Sequence, residues 1–282
     1  MSERSSFRVL RAGGLQARVE EDGGRISSIR VGRGTRAVEL LLRTPWADDP
    51  AGAWTMPGSA DEWHRRYPGG WHLLLPRPLG PATVDGVEQP FHGEAAWRRW
   101  SLASRGDEAC ALSVTLRSVP LRIERDVRLE ATGGASRVVV TTTVTNIGGR
   151  AVRFGWAEHP AFDATLFSDS CVALAGGPVP IVDRGSGRFD DLDNLTGSAV
   201  MTSASTGYEI ALEWDATLFA RTYVWQERGA VLGFPWHGLV DAVAVEPASQ
   251  RHDHPTDVLG EVALGPGAAR RTAVTLTVRE RR

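Results

Sequence analysis

An all-β fold, most simply a large antiparallel β-sandwich of two sheets forming one domain over residues 1–282, is predicted by three features of the sequence. Apolar or alternating runs of strand length recur along most of the chain. Glycine pairs and prolines punctuate these runs where turns are needed. No long amphipathic helix, fixed-period repeat, heptad or low-complexity linker interrupts the pattern.

In chain order, Leu15 to Leu42 reads as short strands broken at Gly23-Gly24 and Gly32-Arg33-Gly34. Residues 43–72 change character and become rich in Pro, Gly, Trp and charge, which predicts a long loop; its aromatic residues argue for function over disorder. After Leu73-Leu74-Leu75-Pro76-Arg77-Pro78 and the tract from Gln89 to Trp100, strands are expected at Ala111–Ser118, Leu121–Leu129 and Val138–Asn146. The run from Val138 to Thr145 is β-branched at every position, which suits a pleated sheet far better than a helix. His159 is expected where the chain leaves a sheet before Pro160, and 182–196 as an acidic loop. Further strands are expected at Tyr208–Trp214, Leu218–Trp225, Ala230–Phe234, Leu239–Val245, Glu261–Leu264 and Arg271–Val278.

Composition narrows the function classes. The formal net charge is −2 and the basic residues are dispersed, so no nucleic-acid footprint is expected. All 32 basic residues are arginine, which removes Schiff-base, pyridoxal-lysine and P-loop-lysine chemistries. No segment approaches the length of apolar residues that spans a bilayer, and Met1 to Ser6 lacks the apolar region of a secretory signal, so a cytoplasmic protein without membrane partners is expected. Cys110 and Cys171 lie in apolar settings without metal-site spacing and are expected as free buried thiols. Ten tryptophans could fill the core of a large sandwich or stack on sugar rings.

Three polar groups stand beside turn-forming residues: His92 before Gly93, His159 before Pro160, and Glu246 before Pro247. Imidazole can both give and take a proton near neutrality. In the run from Asp241, alternation places Glu246 on the same face as Ala242 and Ala244, whose small side chains leave room above them. A carboxylate there suits a general base raised by partial burial, or a structural ion pair to one of the arginines. His252-Asp253-His254 has the spacing of a ligand pair, but the surrounding segment reads as a loop and no metal is assigned.

The ordered set Tyr67-Pro68-Gly69-Gly70-Trp71, His92-Gly93, His159-Pro160 followed by an aromatic, and Val245-Glu246-Pro247 resembles the aldose 1-epimerase, or galactose mutarotase-like, superfamily. The landmarks run from about residue 67 to residue 247. The resemblance implies a supersandwich with a carbohydrate site on the concave face of one sheet. It places Glu246 as the base that takes the anomeric proton, His159 as the acid at the ring oxygen and His92 as a second polarising histidine. It implies no cofactor, a small-molecule carbohydrate partner, and a monomer or homodimer. Arg66 or Arg77, with Trp71, His72, Asp190, Trp225 and Trp236, are the expected substrate-binding residues. Asp183 and Asp191 are alternatives to Asp190, and Trp97 is a further stacking surface. Two departures concern the substrate: Ala161 and Asp163 stand where the family's established mutarotases carry tyrosine and asparagine. Competing readings are a non-catalytic carbohydrate-binding domain on the same fold and a sugar hydrolase or lyase; a hydrolase would ordinarily need a second carboxylate partner for Glu246.

Overall fold

A computed structural model describes residues 7–47, 58–168 and 170–281. Two nine-stranded sheets dominate, and every described strand pairing is antiparallel. In spatial order the first sheet runs Phe7–Ala12, Leu15–Glu20, Ile26–Val31, Gly70–Leu74, Ala157–Asp163, Asp241–Ala248, Arg221–Arg228 and Gly187–Asp193, with Val38–Glu39 beside Ile26–Val31. The second runs Gly177–Pro180, Cys171–Leu174, Ser198–Ser203, Tyr208–Trp214, Ala269–Glu280, Ala135–Asn146, Leu121–Thr132, Ala109–Thr115 and Ser101–Ser104. Among the described residues no helix is long and apolar enough to cross a membrane.

The longest hairpin illustrates how the sequence builds the second sheet. Strands Leu121–Thr132 and Ala135–Asn146 pair along their whole length, and only Gly133 and Gly134 connect them. A two-residue hairpin of this twist needs positive φ at both central positions, and the two glycines supply 59° and 83°. Alternate residues Val138, Val140, Thr142 and Val144 then point inward. The three valines meet Ile29, Phe162, Val243, Val245 and other residues of the first sheet's inner face in one apolar cluster.

The outer face of the first sheet carries a second set of buried residues: Leu42, Trp63, Tyr67, Ala161, Trp236, Ala242 and Ala244, with Leu74, Ala157, Tyr223 and Ala248 alongside. Strand alternation explains the division, since Val243 and Val245 face the other sheet while Ala242, Ala244 and Glu246 face outward. The helix Ser59–Arg66 and the segment 230–240 cover this face, and the indole of Trp236 joins them by donating to the His64 carbonyl at 2.6 Å.

Several expectations are corrected. Residues 59–66 form a helix inside the tract read as loop; Asp61 and Glu62 in its first turn and His64, Arg65 and Arg66 in its last complement the helix dipole. Gly187–Asp193 is an edge strand and not a loop. The strand expected at Ala230–Phe234 is absent: the preceding strand ends at Arg228, and Val231 and Leu232 are exposed. His159 sits in the middle of Ala157–Asp163 and not at a sheet exit. Cys110 and Cys171 are both free, the first buried and the second half-buried.

Candidate active site

Glu246 and His159 meet across two adjacent strands. The flanking pairs Ala157–Ala248 and Ala161–Ala244 set a register that puts residue 159 opposite residue 246, and the ladder is interrupted between them. Two prolines, Pro160 and Pro247, fall in this interruption. Neither has an N–H to donate, so the strands do not bond continuously where the Glu246 and His159 side chains emerge. His159 Nε2 lies 3.4 Å from Glu246 Oε1, and each residue is only 4% exposed.

Burial dominates the electrostatics of this pair. It pushes the Glu246 carboxyl up to about 8 and the His159 imidazole down to about 4. Between those values the pair holds one proton in total. A neutral acid beside a neutral imidazole and a carboxylate beside an imidazolium are two placements of that same proton. A group that takes a proton and a group that gives one therefore stand side by side in a site largely shielded from water.

Two further histidines converge here. His72 is paired directly with His159 in the neighbouring strand, with ring centroids 6.4 Å apart. Its Nε2 lies 3.0 Å from the Gly69 carbonyl, which can only accept, so Nε2 carries the proton and Nδ1 is a bare acceptor. His92 comes from a turn and places its ring 5.7 Å from His159. Its φ of 65° is unusual for a residue with a side chain, and Gly93 follows it at 79°. A Cβ on Gly93 would come within 2.6 Å of the Leu75 carbonyl, so only glycine permits this approach. His92 Nδ1 donates to the Pro78 carbonyl at 3.1 Å, leaving Nε2 without the proton. Burial, joined by neighbouring positive charge, holds both imidazoles well below their ordinary range.

Aromatic residues enclose the group. Trp225 lies 6.0 Å from His159, and Trp236 packs on Trp225 and Tyr67 at 6.0 and 6.3 Å. Trp63, from the helix, stands 5.0 Å from His92 and 5.1 Å from His72. The space above Ala242 and Ala244 is thus occupied by aromatic rings. Trp97 is half-buried, donates to the Phe91 carbonyl at 2.7 Å and packs 5.7 Å from Trp63.

Other sequence candidates sit elsewhere. Trp71 points into the core between the sheets, fully buried, and donates to Glu158 Oε2 at 2.7 Å; strand alternation puts it on the face opposite His72, so it is not a stacking surface in the site. Asp190 is opposite Val224, whose side chain enters the inner core, and it pairs with Arg188 at 2.7 Å, so it too is on the wrong face. Its neighbour Asp191 is opposite Tyr223 and shares the site's face, bonded to Arg221 and to the backbone N–H of His252. Arg77 is buried and donates to the carbonyls of Gly80, Pro255 and Val258, bracing the 255–258 segment. Arg66 is paired with Glu62 on the helix at 3.0 Å. His252 packs against Phe189, and His254 Nε2 lies 3.7 Å from Glu261.

Sequence reading also missed the support behind His159. Its neighbour Glu158 faces inward and receives Arg125 Nη1 at 2.7 Å, Arg125 Nη2 at 2.9 Å and the Trp71 indole. Arg125 belongs to the second sheet and is wholly buried, so this bidentate pair ties the His159 strand to the opposite sheet.

No protein-family model matches the chain, and no curated protein does. Solved structures do. A candidate aldose 1-epimerase of Escherichia coli K12 aligns over 97% of this chain and 99% of its own, with TM-score 0.71 and 20% identity. A candidate aldose 1-epimerase of Klebsiella pneumoniae aligns over 98% and 83%, with TM-score 0.73 and 12% identity. A galactose mutarotase-like protein of Lactobacillus casei aligns over 97% and 100%, with TM-score 0.65 and 19% identity. With two large antiparallel sheets matched over nearly the entire chain, this protein has the galactose mutarotase-like sandwich fold.

Proposed function

We propose that this protein interconverts the α and β anomers of an aldose or derivatised aldose by acid–base ring opening. The observation that carries the reading is the Glu246–His159 pair: buried, 3.4 Å apart, and holding one proton between a base and an acid. Glu246 as carboxylate takes the proton from the anomeric hydroxyl while His159 as imidazolium gives one to the ring oxygen. The C1–O5 bond breaks, C1 becomes an aldehyde, and rotation about C1–C2 presents its other face. Reversal of both transfers closes the ring as the opposite anomer and restores the pair. The fold shared with candidate aldose 1-epimerases supports the same chemistry.

Neutral imidazoles from His72 and His92 and the rings of Trp63, Trp225 and Trp236 give the surroundings the character of a carbohydrate site, with uncharged acceptors and apolar faces. Polarimetry across a panel of free aldoses tests the reading. Acceleration of anomer equilibration over the spontaneous rate is expected for at least one of them. Saturable sugar binding without acceleration would favour a non-catalytic carbohydrate-binding domain.

A further inference from the structure

Tyr67 follows the helix that covers the site, and its position is tightly fixed. Its carbonyl accepts from Thr44 Oγ1 at 3.1 Å and from the Trp46 indole at 3.0 Å. Its ring lies 6.0 Å from His159, 6.0 Å from His72 and 5.8 Å from Trp225. Yet its hydroxyl is buried with no hydrogen-bond partner among the described residues. A buried tyrosine hydroxyl ordinarily finds a partner, because leaving it unpaired destabilises the fold. Phenylalanine would fill the same space without that penalty.

The two histidine rings whose centroids lie 6.0 Å from that of Tyr67 each carry an orphaned atom as well. His72 Nδ1 and His159 Nδ1 are also buried without partners. Burial and the nearby Glu246 carboxyl keep the Tyr67 phenol protonated, so it is a donor. His72 Nδ1 is an acceptor, because Nε2–H is committed to the Gly69 carbonyl. A donor and an acceptor whose rings are 6.0 Å apart complement one group that both accepts and donates.

We infer that a single hydroxyl of the bound sugar bridges these two residues, accepting from Tyr67 Oη–H and donating to His72 Nδ1, which makes Tyr67 a substrate-contacting residue that selects for that hydroxyl. The inference rests on the carbohydrate reading of the site. It extends that reading from the reacting atoms to recognition of a remote hydroxyl.

The test is Tyr67→Phe, which removes one oxygen and preserves the ring. Sugar affinity is read by intrinsic tryptophan fluorescence with an aldose panel and the corresponding monodeoxy aldoses, and thermal unfolding is measured alongside. Y67F is expected to melt at or above the wild-type temperature and to bind its best aldose about tenfold more weakly. One monodeoxy sugar should bind wild type and Y67F equally, which identifies the bridged hydroxyl; a packing role would not produce that equality. Equal affinities of wild type and Y67F for every aldose would overturn the bridge. Anomer exchange measured on the same samples separates the two proposals. Binding weakened by Y67F without catalysis by wild type would leave the bridge and remove the epimerase reading, whereas catalysis by wild type with aldose affinity unchanged in Y67F would do the reverse. A wild type that binds no aldose would overturn both.

Discussion

At the residue scale, the proposed chemistry rests on one proton shared by two buried groups. Activity should therefore be flat between about pH 4, where His159 takes a second proton, and about pH 8, where the pair loses its only one. A pH profile of kcat/KM checks this, and a single inflection near the ordinary histidine value of 6.5 would contradict it. Stability carries the same signature in two opposed contributions. The raised Glu246 value stabilises the fold fully below its unfolded value of 4.5, and that contribution is lost as pH rises through about 8. The lowered His159 value stabilises above 6.5, and that contribution is lost as pH falls through about 4. Glu246→Gln should consequently flatten the decline in unfolding free energy between about pH 6.5 and 8, where the Glu246 contribution falls and the His159 contribution is constant, as chemical denaturation at each pH would measure. Glu246, His159 and His92 were legible as candidates because each stands beside a proline or glycine at a break in a strand pattern. Asp191 could be offered only as an alternative to Asp190, since choosing between them needs strand parity and the segment read as an acidic loop.

At the scale of elements, the helix Ser59–Arg66 and the segment 230–240 form the site's cover, and the Trp236–His64 hydrogen bond joins them. Trp236→Phe removes that bond while keeping an aromatic ring. Amide hydrogen exchange in residues 59–66 should quicken, and the melting temperature should fall by about 2–4 °C for a loss of about 1 kcal/mol. Unchanged exchange in the helix would show that the bond does not hold the cover. The helix escaped sequence reading because eight residues complete barely two turns, too few for an apolar period to emerge from a tract dense in Trp, Pro and Gly. The apolar residues of 230–234 misled in the opposite direction. They have strand composition, but the chain turns at Gly229, whose φ is 75°, to carry Trp236 into the site.

For the whole molecule, the sandwich class was readable because its strands are local in sequence and marked by alternation, as at Val138–Asn146. The link between the sheets was not, since Arg125 and Glu158 are 33 residues apart and meet only once both sheets are assembled. Breaking that buried pair with Arg125→Met should destabilise by about 3–5 kcal/mol, because Glu158 is left as an unpaired buried charge. The double variant Arg125→Met/Glu158→Leu should recover most of that loss in urea unfolding; additive losses would mean that the two residues stabilise the fold independently and that the pairing itself contributes nothing. The central claim, that the assembled site turns one anomer into the other at Glu246, is tested most directly by equilibrium exchange NMR between α and β resonances of a bound-competent aldose. Wild type should raise the exchange rate above the spontaneous value, and Glu246→Gln should lower that enhancement by about 10²–10⁴-fold while sugar affinity changes little. An E246Q protein that exchanges anomers as fast as wild type, or that loses binding and exchange in equal measure, would contradict it.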